Sequence, residues 1–166
     1  MNVKSGSIAG EKKEFVSWSH KLTCGVKVID DQHKGLVNLV NEMFEHVTGN
    51  YTQEKDYFNR VIQEVVKYVK EHFATEEKIM ISTKFAGYAG HKKEHDNFVR
   101  TVAENVKDYQ AGKRFTLSTF TRFLKDWIFS HIALMDKQYF EYFKSIATRK
   151  EDGKLTISLS DIQKQG

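Results

Sequence analysis

The chain has 166 residues, 40% of them apolar and 29% charged, with a formal net charge of +4. That balance fits one globular domain and excludes a disordered polyelectrolyte, a membrane-spanning chain and a densely basic nucleic-acid binder. Cys24 is the sole cysteine and there is no proline. Internal disulfides and thiolate metal clusters are therefore excluded, and nothing interrupts a long helix from within.

Residues 1–17 read as an N-terminal extension, 18–146 as the globular domain and 147–166 as a C-terminal tail. The first fifteen residues mix lysine, glycine and serine without a continuous apolar stretch, so a cytoplasmic protein is expected. Phe15, Val16 and Trp18 are expected to dock the arm onto the domain.

Helical periodicity then marks four long segments. The first spans residues 31–48, with Leu36, Val37, Val40, Phe44 and Val47 on its apolar face and Asp30 or Asp31 as a candidate cap. Gly49 and Asn50 follow it as a stop. The second spans 53–82, capped by Asn50 or Thr52, with Phe58, Val61, Ile62, Val65, Val69, Phe73, Ile79 and Met80 inward. A third runs from Gly90 to Gly112, with Phe98, Val102, Val106 and Tyr109 on one stripe. The fourth starts after Thr116 and reaches about Phe143; Leu117, Phe120, Leu124, Trp127, Ile128, Leu134 and Met135 face inward. Short connections make neighbours antiparallel. The expected fold is all-α: an up-down-up-down four-helix bundle with an N-terminal arm and a short C-terminal tail.

Of seven histidines, His20 and His46 sit among polar neighbours and read as structural or solvated. The other five fall on apolar stripes. His33 precedes Leu36 and Val37 at helical spacing. His72 and Glu76 are four apart, as are His91 and His95, and His131 extends the Leu124–Trp127–Ile128 stripe with Asp136 five residues on. Each pattern alone is common on helix surfaces. Together they bury five imidazoles and two carboxylates, and each uncompensated group costs roughly 1–3 kcal/mol in a domain whose total stability is about 5–15 kcal/mol. A cation in the bundle core satisfies all of them.

Imidazole and carboxylate without thiolate suit iron, manganese or zinc, and seven ligands exceed the four of one zinc ion. Two octahedral ions bridged by Glu76, Asp136 and a solvent oxygen fit better. Three histidines then complete one ion, and the remaining two leave a single open position on the other. Five residues on an ideal helix separate His131 from Asp136 by about 140°. The helix must either pass beside the site or widen into a π-type bulge.

The run Trp18…Gly25…Ile29-Asp30-Asp31-Gln32-His33, then His72-Phe73-x-x-Glu76-Glu77, His91-x-x-x-His95, and Trp127-Ile128-x-x-His131-Ile132 with Asp136, resembles the hemerythrin family, more narrowly its single-domain bacterial members. The resemblance spans residues 18–143. A member of that family is itself a well-known up-down bundle, so the fold expectation and the resemblance are not independent of each other. The resemblance implies two iron ions with a bridging oxo or hydroxo group. His91, His95 and His131 would hold the six-coordinate iron, His33 and His72 the five-coordinate one, with Glu76 and Asp136 bridging. It further implies reversible dioxygen binding for storage, delivery or scavenging, and not catalysis. Two departures stand out. The loop Phe85-Ala86-Gly87-Tyr88-Ala89-Gly90 lacks a proline often found there, and Ile128 stands where leucine is frequent.

Imidazole dominates this set, whereas diiron oxygenases use mostly carboxylates with Glu-x-x-His pairs. Leu36, Phe73, Trp127 and Ile128 are expected to wall the open position as an oxygen pocket and keep it dry. Glu77 reads as a surface charge and Cys24 as a structural residue. Dioxygen is the expected partner, with neither nucleic acid nor membrane. An oxygen or redox sensor signalling through residues 15–18 or 154–163 to a protein partner is the second reading. A weak diiron peroxidase or nitric-oxide-handling enzyme is the third.

Overall fold

The computed structural model describes residues 14–113 and 116–146, without the side chains of 145 and 146; the tail and its proposed contacts lie outside them. Helices α1 (Lys27–Glu45), α2 (Tyr51–Ser82), α3 (Tyr88–Gln110) and α4 (Leu117–Trp127) are followed by a π-helix, Ile128–Asp136, and by α5 (Lys137–Ile146). Ile128 and Lys137 keep right-handed helical angles, so α4, the π-helix and α5 form one rod. The described residues contain no strand. Four rods make the all-α bundle expected from the periodicity, α1 packing on α2 and α4, and α2 on α3.

Local signals explain the boundaries. The Asn50 side chain accepts from the backbone N–H groups of Thr52 and Gln53, capping α2. Three residues into α2, Glu54 reaches back and accepts from the N–H groups of Thr48 and Gly49, both at 2.7 Å. Gly49 turns there at φ 76°. Thr116 caps α4 by accepting from the Thr119 N–H. Past α3, Gly112 adopts φ 67° and the Lys113 N–H closes on the Asp108 carbonyl, a left-handed stop.

The start of α1 departs from expectation. It begins at Lys27, after Val26, which supplies no side-chain cap. Asp30 instead lies in the first turn, and its carboxylate turns back to accept from the N–H groups of Cys24 (2.7 Å) and Gly25 (3.1 Å). Asp31 pairs with Lys27 on the exposed face.

Two expected core residues are not core. Phe44 is 40% exposed, and Met43 takes the inward position. Phe44 serves as the platform for the arm: Phe15 stacks on it with ring centroids 4.4 Å apart. Asn41 pins the same segment, accepting from the Phe15 and Val16 N–H groups and donating to the Val16 carbonyl. Leu134 is 63% exposed because the π-helix turns it outward.

The apolar core has two parts. One holds Val40, Phe58, Val65, Phe98, Phe120 and Leu124; the other holds Cys24, Ile29, Ile79, Met80, Tyr139 and Phe143. Candidate ligands fall at the junction of these parts: His33 between Ile29 and Leu36, Glu76 between Phe73 and Ile79. Apart from Glu54 and Thr121, every buried polar or charged side chain among the described residues belongs to the seven singled out from the sequence.

Candidate metal centre

The ε nitrogens of the five imidazoles converge on two carboxylates. Glu76 Oε2 lies 3.5 Å from His72 Nε2, 3.4 Å from His91 Nε2 and 3.3 Å from His95 Nε2. Asp136 faces two ways: Oδ1 is 3.1 Å from His131 Nε2 and 3.4 Å from His91 Nε2, while Oδ2 is 3.3 Å from His33 Nε2. Two sets of potential metal ligands result, Glu76 with His91, His95 and His131, and His33 with His72, Glu76 and Asp136. Glu76 belongs to both. Asp136 joins the second set through one oxygen and touches the first through the other.

These donors fit metal ions better than one another. His95 Nε2 is 3.1 Å from both His91 Nε2 and His131 Nε2. One shared proton serves only one such contact at a time. Donors at right angles around an ion, each about 2.1 Å from it, lie about 3 Å apart, so the spacing matches cis ligands of an octahedral cation. Both oxygens of Glu76 and of Asp136, together with His33 Nε2 and His72 Nε2, are sealed from solvent and lack a hydrogen-bond partner. Buried groups of this kind are rarely left without a partner.

The His131–Asp136 spacing is resolved by the π-helix. Wider turns bring a residue five positions on back to the same side, so both side chains enter the centre from one rod. The bulge anticipated from the spacing is therefore present, and it spans the whole stretch between Ile128 and Asp136.

Two side chains hold the imidazoles from behind. Gln32 Oε1 lies 3.1 Å from His72 Nδ1, and Glu77 Oε1 lies 3.1 Å from His95 Nδ1. Each acceptor favours the tautomer with its proton on Nδ1, leaving the Nε2 lone pair facing inward. Glu77 is thus not the simple surface charge expected from its sequence position; it is 21% exposed and braces a candidate ligand. Neither contact carries a sequence signal, since each crosses between helices.

The expected pocket residues are all buried but not equivalent. Phe73 stacks flat on His95 at 3.7 Å, and Trp127 on His131 at 3.9 Å, covering the three-histidine group. Leu36 and Ile128 are buried in the same core. Tyr68, not singled out from the sequence, stacks on His72 at 4.7 Å. His20 and His46 are exposed and outside the cluster; His46 stacks on Tyr57 and contacts the Glu42 carbonyl.

Burial pushes His72, His91 and His95 toward the neutral imidazole that a metal ligand requires. It acts the same way on His33, but the Asp136 carboxylate reverses it and holds that imidazole above its usual range. Burial, followed by the Asp136 charge, raises the Glu76 carboxyl. Burial opposes ionisation of Asp136 as well, yet His131 and His33 outweigh it and keep the carboxyl low.

A pH dependence follows for protein stripped by a chelator. Below about pH 6.5 the unfolded chain takes up protons that folded His72, His91 and His95 refuse, so stability falls on acidification. His33 and Glu76, both raised on folding, work in the opposite direction, two groups against three. Asp136 adds a further loss on acidification below about pH 3.8, since its folded carboxyl holds off the proton. Thermal melts of metal-free protein from about pH 8 to about pH 5.5 should show a falling midpoint. A flat or rising midpoint would mean that the folded core accepts the protons.

The arrangement defines an all-helical bundle built around a buried histidine–carboxylate centre with two overlapping sets of potential metal ligands. Residues 24–143 match the family model described as the hemerythrin HHE cation binding domain. The chain is 35% identical over 111 residues to the bacteriohemerythrin of Methylococcus capsulatus, covering 66% of this chain and 82% of that one. It is 34% identical over 128 residues to the bacteriohemerythrin of Stenotrophomonas maltophilia, covering 77% and 81%. A crystal structure of wild-type hemerythrin superposes with a TM-score of 0.66 at 32% identity, over 76% of this chain and 96% of that one. The chain belongs to the hemerythrin family.

Proposed function

We propose that this protein binds dioxygen reversibly at a non-heme diiron centre and acts as an oxygen carrier or store, not as an enzyme. The observation that carries the reading is the sharing of carboxylates: Glu76 lies in both ligand sets and Asp136 turns one oxygen toward each. His91, His95 and His131 would hold one iron, His33 and His72 the other, with Glu76, Asp136 and an oxo or hydroxo group between them. Counting donors leaves one position for an exogenous ligand, on the His33–His72 iron. When bound, the pair of irons supplies the electrons that hold dioxygen.

The protein's own contribution is positioning and exclusion. Gln32 and Glu77 fix the tautomers of His72 and His95, so those lone pairs are aimed before any ion arrives. Phe73, Trp127, Leu36 and Ile128 keep bulk water from the centre, which slows proton delivery and with it loss of the bound ligand. The π-helix delivers His131 and Asp136 from one rigid rod.

The test is anaerobic purification, iron determination and repeated oxygen cycling under a visible spectrometer. About two irons per chain, with colour appearing on oxygenation and bleaching on deoxygenation, are expected. Zinc or no metal in the purified protein, or irreversible colour after one exposure, would overturn the proposal.

A further inference from the structure

The two braces behind the imidazoles differ in charge. On the two-imidazole side, His72 Nδ1 lies 3.1 Å from the neutral amide oxygen of Gln32. On the three-imidazole side, His95 Nδ1 lies 3.1 Å from the Glu77 carboxylate. The acids next to the first pair in sequence, Asp31 and Glu71, are exposed along an open groove between α1 and α2, and Asp31 pairs with Lys27. Water screens them. Glu77 is only 21% exposed. Lys92 approaches it to 3.9 Å, but that ammonium lies closer to Asp96, at 2.8 Å, and is 40% exposed. The Glu77 charge is therefore poorly offset, and the His95 ring carries its effect inward. A carboxylate behind Nδ1–H raises the basicity of the imidazole it braces, and an amide oxygen does so far less. A more basic ligand and a nearby negative charge both favour the more highly charged state of the ion they face. Orientation alone draws no such distinction, because both acceptors hold the proton on Nδ1.

We infer that Gln32 and Glu77 rank the two irons by ease of oxidation: the ion held by His91, His95 and His131 loses its electron first, and the ion beside His72 keeps its own. This rests on the diiron reading above. Each step is the loss of one electron to an external one-electron oxidant, with no bond made or broken and no proton moved. Both residues are positioning residues, acting on the ions only through an imidazole. Stray oxidation thus starts at the half without an open position, and the half that takes the exogenous ligand stays ferrous longer.

The test is a mediator titration of iron-loaded protein from the diferrous to the diferric form. Two one-electron midpoints are read optically, and the odd-electron form is followed by electron paramagnetic resonance. Glu77→Gln keeps the acceptor oxygen and removes the charge. It should raise the first midpoint by at least a factor of ten in the oxidation equilibrium, about 59 mV for one electron, and move the second less. Gln32→Glu keeps the length of the side chain and adds a charge. It should lower the second midpoint by a similar factor and move the first less. Each change draws the midpoints together and lowers the peak of the odd-electron form. Asp31→Asn removes a screened charge on the exposed face and should shift either equilibrium less than twofold. If Glu77→Gln loads less iron, Gln32→Glu alone decides. Midpoints unchanged in Gln32→Glu, or both moved equally, would overturn the inference while leaving the diiron centre in place, with the two braces only orienting their rings. A wild-type protein that loads fewer than two irons per chain would overturn the diiron reading itself.

Discussion

Glu76→Gln is expected to reduce the iron content from about two ions per chain to one or fewer, and to abolish oxygen-dependent colour. Among the described residues no other side chain stands in both ligand sets, and its Oε2 contacts three separate imidazoles. The amide keeps the size of the side chain but has only one acceptor oxygen, carries no charge and bridges two cations poorly. Loss of outer-shell partners alone typically costs about 10–100-fold in metal affinity, and removing a shared ligand exceeds that. The metal-free protein should respond with the opposite sign. Folding raises the Glu76 carboxyl, first through burial and then through the Asp136 charge. The stability this group contributes is present below its unfolded pKa of about 4.3 and lost as pH rises through the folded value, so at neutral pH the ionised carboxylate is a burden. Glu76→Gln should therefore raise the melting temperature of chelator-treated protein at about pH 7 while weakening metal binding. Iron determination and paired melts check both halves. Full iron loading, or a lower melting temperature without metal, would remove Glu76 from the bridging position.

Much of this centre was legible because burial and helical spacing act on the same residues. The stripe that buries Leu36, Val37 and Val40 also buries His33, and the stripe of Val65 and Phe73 also buries His72 and Glu76. The irregular five-residue step from His131 to Asp136 was informative for the same reason: the widened helix lets both enter one core. What the sequence concealed lies between helices. Gln32 and Glu77 brace imidazoles on other rods, 40 and 18 residues away. Spacing along one helix gives the face on which they lie but not what approaches that face. The exposure of Phe44 depends on the arm that stacks on it, and that of Leu134 on the local turn of the π-helix, whereas a regular period of about 3.6 residues predicts both inward. Asp30 misled in a related way. Its side chain satisfies backbone N–H groups at the start of α1, as a cap does, but from within the first turn and toward the preceding loop.

His72→Ala and His91→Ala together test the asymmetry of the centre. The first set has three imidazoles, His91, His95 and His131, and the second has two, His33 and His72. Removing His72 leaves the second set with a single imidazole, His33, and the carboxylates Glu76 and Asp136, and also strands Gln32 without its imidazole partner. Iron content is expected to fall to about one per chain, with reversible oxygen binding lost, because the proposed assignment puts the open position on the iron that His33 and His72 would hold. His91→Ala removes one of three nitrogens from the other ion. That variant should retain more iron than His72→Ala, and its azide binding should persist at the untouched half even where oxygen cycling is weakened. The two outcomes separate the role of a ligand from that of a packed core residue, since both imidazoles are buried and their deletions remove the same side-chain volume. Comparable melting temperatures for the two metal-free variants, with unequal iron and azide binding, would tie the difference to coordination. Retained oxygen cycling in His72→Ala would place the open position on the three-histidine side and reverse the assignment.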